Sequence, residues 1–216
     1  MRSYNQYCPA AMALDLVGDR WTLLIVRELG IRPGRYKDLH DALPGIATNL
    51  LADRLRVLVE HGVVDVTTTP PPAVATIYEL TPWGRELYDI VVRLGRWGAR
   101  RLLDGPAGRT FCARYTIPVI ETLYATADLT DIQPLSVRID HDDEHVRVTA
   151  GPAGVDAVID DASRTADVVL DGSPLVVLGL LAGSLEPGDH LGDQLHADRD
   201  AVGRFRAWTE RAVPVL

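Results

Sequence analysis

The residues best placed to do chemistry lie in PGIATNLLADRLRVLVEHGVV, Pro44 to Val64. Leu51, Leu55 and Leu58 recur at helical spacing behind Ile46, so one side of the segment is apolar. Thr48, Asn49, Asp53 and Arg54 crowd its front end. A carboxamide can pair with the edge of adenine, and a guanidinium with guanine or a phosphate. The same pattern fits a solvated helix face, and periodicity alone leaves both readings open. Cys8, ahead of Pro9, reads as a small core-facing residue. HDDEH, His141 to His145, sets two imidazoles around three carboxylates. A hairpin turn accounts for that polarity, and alternate strand residues point to opposite faces, so no metal is expected there.

The front-end cluster needs a helix, and the chain supplies several. CPAAMALDLVG has helical spacing at Met12, Leu16 and Val17. DRWTLLIVREL follows, with Asp19 as a cap and Trp21, Leu24, Ile25 and Leu29 on one face. RYKDLHDAL repeats the pattern with Tyr36, Leu39 and Leu43 before Pro44-Gly45 breaks it. The segment of interest is the next helix, stopped at His61-Gly62. VVDVTTT and ATIYEL then read as strands joined across Pro70-Pro71-Pro72, since prolines there mark the loop of a hairpin. Thr81-Pro82 starts a helix to Arg101, with Leu87, Ile90, Val91, Leu94 and Trp97 on one face. DGPAG, Asp104 to Gly108, reads as a linker.

The second half changes character. LSVRID and HVRVTA alternate around HDDE as a half-buried hairpin, and ADVVLDG is another strand. Ser173-Pro174 opens a strongly apolar helix, LVVLGLLAG. QLHA is a last short strand, and Asp200 caps a final helix with Val202, Phe205 and Trp208 inward. Leu175, Val176, Leu178, Leu180 and Leu181 are apolar almost all round, so their helix is buried on several sides or lines a cavity faced by Phe205 and Trp208.

Charge divides the chain in the same place. The net charge is −8, but residues 1–104 carry 13 Lys and Arg against 12 Asp and Glu, and residues 105–216 carry 9 against 18. The acidic half is unsuited to lie on nucleic acid, while the first half is merely neutral. Two cysteines give no disulfide framework and no metal spacing. No signal-peptide pattern or bilayer-length apolar run is present, so a cytoplasmic protein with no membrane partner is expected. No P-loop, dinucleotide glycine motif, nucleophile elbow or zinc-hydrolase motif occurs, so neither catalysis nor a cofactor is expected.

The order helix, helix, helix, tight turn, helix, hairpin, helix is that of a winged helix-turn-helix, where the polar front of one helix enters the major groove. Cys8-Pro9, Met12–Leu29, Arg35–Leu39, Gly45-Ile46, Leu51, Arg54-Leu55, Leu58, Gly62–Val64 and Tyr78–Thr81 together resemble the HxlR-type winged helix-turn-helix regulators of bacteria over about Cys8 to Tyr88. The resemblance implies a homodimeric regulator of transcription whose recognition helix is the Pro44–Val64 segment, and a redox role for Cys8 as in several members. The wing has no Lys or Arg, so its phosphate contacts would fall to Thr68 and Thr69, with Arg32, Arg35 and Lys37 supplying charge before the turn. From about Pro134 to Trp208 the chain resembles the sterol carrier protein type 2-like fold: a strand, GSP opening an apolar helix, Gly183 closing it, a proline-led turn, a last strand and helix. That resemblance implies a mixed sheet covered by helices around an apolar cavity.

The expected fold is therefore α+β: residues 1–104 a winged helix-turn-helix for DNA binding and dimerisation, 105–111 a linker, 112–216 a sterol-carrier-like domain. The expected function is a homodimeric regulator binding double-stranded DNA and responding to a small hydrophobic effector. Two rivals stand beside it. In one, Cys8 senses oxidants and the second domain is structural. In the other, the chain is a lipid carrier or small-molecule enzyme with a winged helix for protein contacts.

Overall fold

The computed structural model describes residues 3–70, 74–104 and 108–213. The wing tip at Pro71 and Pro72 and the centre of the DGPAG linker lie outside the described residues. The chain forms two compact units, Met1–Val91 and Val92–Leu216.

The first unit runs α1 (Pro9–Val17), α2 (Thr22–Ile31), β1 (Gly34–Arg35), α3 (Tyr36–Ala42), α4 (Thr48–Glu60), β2 (Val64–Thr68) and β3 (Thr76–Leu80). α5 (Pro82–Gly98) begins here and continues into the second unit. β3 is the middle strand, antiparallel to both β1 and β2. Ile25, Val26 and Leu29 of α2 are fully buried, as are Leu51, Leu55 and Leu58 of α4. Burying side chains of this size contributes about 1.5–3 kcal/mol each.

Local chemistry fixes the ends of these helices. The N-cap position of α2 is Trp21, two residues after the expected Asp19; Asp19 accepts from the amides of Trp21 and Thr22 at 2.9 and 3.2 Å and so closes the turn that leads into the helix. Asp38 accepts from the Arg35 amide at 2.9 Å at the start of α3. Thr81 accepts from the Gly84 amide at 3.0 Å and donates to the Gly62 carbonyl at 2.7 Å. It thereby starts α5 and ties it to the chain just after α4.

After a 3₁₀ segment, Ala99–Asp104, the second unit continues with a 3₁₀ turn Ala113–Tyr115 and α6 (Thr116–Tyr124). Strands β4 (Leu135–His141), β5 (Glu144–Gly151), β6 (Gly154–Asp160) and β7 (Val168–Asp171) follow. α7 (Pro174–Leu181), β8 (Leu195–Ala197) and α8 (Arg199–Thr209) complete it. The sheet order is β6-β5-β4-β7-β8, with β4 and β7 the parallel pair and the other neighbours antiparallel. Val137, Ile139, Val146, Val148, Val168 and Leu170 are buried, and so are Val177 and Leu180 of α7 and Phe205 and Trp208 of α8. Tyr124 of α6 stacks on Trp208 at 4.6 Å and donates to the Leu181 carbonyl at 2.7 Å, joining three helices at one point. Burial pushes its phenol pKa well up.

Two elements of this unit carry no strong sequence signal, α6 and β6. One cap differs from expectation. The α8 cap is Asp198, which accepts from the Ala201 amide at 2.7 Å, and not Asp200. Asp200 lies in the first helical turn and pairs with Arg204 one turn on, at 3.1 Å. The helix starts two residues earlier because the chain leaves β8 at Ala197 with no loop to spare.

α2 and α5 meet at Gly30 and Tyr88. A Cβ at Gly30 would lie 2.0 Å from the ring of buried Tyr88. Gly30→Ala should therefore lower stability by about 1–3 kcal/mol, the usual cost of overpacking. Thermal unfolding of the single variant and of Gly30→Ala with Tyr88→Val checks this, and the pair should lose less than its two singles added together.

Candidate nucleic-acid interface

α3, the turn at Pro44-Gly45 and α4 form the helix-turn-helix. Gly45 has φ +91°, a conformation L side chains rarely adopt, and this lets the chain reverse within the turn. The Leu43 amide donates to the His40 carbonyl and the Ile46 amide to the Leu43 carbonyl, at 3.3 and 3.1 Å. The Tyr36 hydroxyl donates to the Thr48 carbonyl at 2.7 Å and pins the front of α4 to the start of α3. Sequence periodicity groups Tyr36 with Leu39 and Leu43, but it is only half-buried, and its hydroxyl serves this hydrogen bond.

α4 has two unlike sides. Leu51, Leu55, Val57 and Leu58 are buried; Thr48, Asn49, Ala52, Asp53 and Arg56 are exposed. The N-cap is Ala47, whose side chain takes no hydrogen bond from the first-turn amides. Those amides and the positive end of the helix can meet an anion such as a phosphate.

The candidate residues divide in the structure. Thr48, Asn49 and Asp53 share the exposed front of α4, and Arg35 and Lys37 are exposed at the start of α3. Arg54 is placed differently. Its side chain is only 23% exposed, its Nε is buried without a hydrogen bond, and that atom lies 3.5 Å from Asp19 Oδ2. The exposed cation on α4 is Arg56, which the front-end cluster does not single out. It pairs with Glu60 at 2.7 Å and approaches Asp53 at 3.9 Å. Its signal in the sequence is the three- and four-residue spacing of those acids around it.

Thr68 is exposed at the end of β2, opposite Thr76. Thr69 is engaged within the wing: its amide donates to the Ala75 carbonyl, and its hydroxyl accepts from the Ala75 amide, both at 2.9 Å. Cys8 stands half-buried at the N-cap of α1. The backbone amides of Ala11 and Ala10 at the start of α1 lower its thiol pKa, the usual effect of a helix N-terminus on a thiolate.

The effector candidates also separate. Leu180, Leu181, Phe205 and Trp208 are wholly buried, Val176 and Leu178 half-buried, and Leu175 is 54% exposed at the start of α7. An open groove of about 710 Å³ lies between Asp131–Gln133 and α8, at Arg199, Asp200 and Arg204, and includes none of these seven residues. His141 meets the edge of Phe111 at 4.9 Å, whereas His145 bonds Asp140 at 2.8 Å, so the two imidazoles have separate partners.

The model of the HxlR-like helix-turn-helix family matches residues 16–104. An uncharacterized HTH-type transcriptional regulator of Synechocystis sp. is 38% identical over 43% of this chain and 68% of its own length. The HTH-type transcriptional regulator YodB of Bacillus subtilis is 33% identical over 43% of this chain and 84% of its own. An uncharacterized HTH-type regulator of Mycobacterium tuberculosis is 43% identical over 40% of this chain, which spans about half of that relative, 54%. The solved reduced form of YodB shares 30% identity over 47% of this chain and 99% of its own, with a TM-score of 0.40. By the family match and these relatives, this chain belongs to the HxlR-like helix-turn-helix family.

Proposed function

We propose that this chain is a homodimeric DNA-binding regulator of transcription that reads the major groove with α4. One observation carries the reading: the polar front of α4 stands exposed directly after the helix-turn-helix turn, over a wholly buried leucine back. Thr48, Asn49 and Asp53 face base edges, and the uncapped first turn of α4 with Arg35 and Lys37 meets the phosphates. Thr68 supplies a wing contact. Asn49→Ala should leave the fold intact and cost about 1–3 kcal/mol of discrimination at one base position. Titration of the full chain against duplexes from its own promoter region checks this; equal affinity in both proteins for every duplex would sink the reading.

Dimerisation belongs to the same proposal. Trp83, Ile90, Leu94 and Trp97 fall at spacings of seven, four and three along α5, and all are exposed, Trp97 by 80%. Met12 and Leu14 of α1 are exposed as well. Water-facing apolar stripes of this length mark association surfaces, and a two-fold dimer would present two recognition helices to two half-sites. Leu94→Glu with Trp97→Glu should yield a monomer by light scattering and lose binding to a two-half-site duplex. A wild-type chain that scatters as a monomer at micromolar concentration removes the dimer from the proposal.

The second unit enters the proposal as a sterol-carrier-like domain that binds a small hydrophobic effector. Its support is the mixed sheet with its parallel β4–β7 pair, the apolar α7, and an open groove beside α8, although the inner residues of α7 and α8 are themselves packed in the core. A second reading has its own observation in Cys8, half-buried with a lowered thiol pKa. If that thiol is the sensor, mild oxidation should change DNA affinity in the wild type and leave Cys8→Ser unmoved. Equal response of both proteins would return sensing to the second unit.

A further inference from the structure

We infer that Asp19 is a positioning residue for the recognition helix, acting through Arg54. This rests on α4 being the DNA-reading helix. One carboxylate does two jobs. Its oxygens take the amides of Trp21 and Thr22 and the Thr22 hydroxyl, so Asp19 is locked to the first turn of α2. Its Oδ2 faces the Arg54 Nε at 3.5 Å. That separation is an ion pair, too long for a hydrogen bond. Arg54 is the member of the front-end cluster that turns away from the exposed face, with its Nε buried. Thr48, Asn49 and Asp53, its neighbours, stay exposed.

A buried guanidinium nitrogen with no hydrogen bond is costly unless a charge compensates it. Asp19 is that charge. The ion pair favours one rotation of α4 about its axis, the one that keeps Arg54 against α2. Rotating α4 to bring Arg54 outward would separate the pair and lift Leu51 and Leu55 from the core, since all three share one rigid helix. Asn49 and Thr48 are thereby aimed from a helix they do not touch. Arg54 is a strut in this arrangement and reads no base.

The test uses the full chain and a duplex that the wild type selects from a randomised library. Asp19→Asn keeps an oxygen for the α2 amides and removes the charge, and Arg54→Gln removes the partner. Each should weaken binding to the selected duplex about tenfold, and the double variant should also lose about tenfold, as expected of a coupled pair. Arg54→Lys should restore most of the loss. Any loss of base preference should be shared among the positions that α4 reads, with no single position relaxed alone, and circular dichroism should show all variants folded at the assay temperature. A double variant that loses about a hundredfold, as independent sites do, overturns the inference. So does Arg54→Gln relaxing the preference at a single base, which would make Arg54 a reader. Unchanged affinity in the single variants overturns it too. Failure of the wild type to select any duplex would sink the DNA reading itself, and is distinguished by appearing before any substitution is made.

Discussion

The first unit depends on burying one side of α4. Leu51, Leu55 and Leu58 are among its largest fully buried side chains, beside Ile25 and Leu29 of α2. A helix carrying three leucines on one side cannot stand in water alone, so the core dictates how α4 lies. Everything polar about α4 follows from that constraint. Once the leucines are buried in the core, Asn49 and Asp53 must face out, because they lie opposite on the same cylinder. The Tyr36 hydrogen bond to the Thr48 carbonyl and the Asp19–Arg54 pair then refine an orientation that apolar burial has already chosen. Neither contact is large by itself; an ion pair about a quarter exposed contributes little to stability. Their effect is on direction.

The second unit uses polar groups differently. On β5 and β6, Arg147 is buried and pairs with Asp160 at 2.7 Å. It also donates to the carbonyls of Arg164 and Thr165 at 2.8 and 3.2 Å, fastening the segment after β6 across the sheet. Arg138 grips Asp140, which also bonds His145. Burial alone would raise the Asp140 pKa, yet the hydrogen bonds from Arg138 and His145 outweigh it and the net shift is downward. These residues alternate with the apolar Val137, Ile139, Val146 and Val148, so one sheet face is hydrocarbon and the other a charged lattice.

Much of this was legible in the sequence, and the exceptions have physical causes. Helix ends announced by a hydroxyl and a proline, at Thr81-Pro82 and Ser173-Pro174, are where the structure puts them. The hairpin turn falls between His141 and Glu144. β6 reads GVDAVID, and its aspartates break the apolar pattern because one of them serves the ion pair with Arg147. α6 is short and begins TIP, where Thr and Ile give no helical signal of their own; it is held by burial of Ile117, Ile120 and Leu123. Asp200 looked like a cap because it precedes the apolar residues of α8, but Asp198 stands where the strand ends. For the candidate site, the exposed trio Thr48, Asn49 and Asp53 was readable from helical spacing. Arg54 was not, because its environment is made by Asp19, 35 positions earlier in the chain.

Charge then limits how the proposed interface can work. Cations set most of the non-specific affinity of a protein for DNA, through release of counterions. On α3, on α4 and just before α3 the exposed ones are Arg32, Arg35, Lys37 and Arg56, and Arg56 is already paired with Glu60. The wing brings hydroxyls, which hydrogen-bond phosphate without releasing an ion. A single unit of this kind would hold a half-site weakly, and more of its binding energy would come from base contacts and helix-end amides than from phosphates. Two such units joined through the apolar stripe of α5 change the balance. The second half-site is then bound at a high effective concentration, and affinity multiplies without added positive charge. In the proposed dimer a second copy would cover the exposed Ile90, Leu94 and Trp97 of α5, and a neutral first half of the chain would then suffice for DNA recognition.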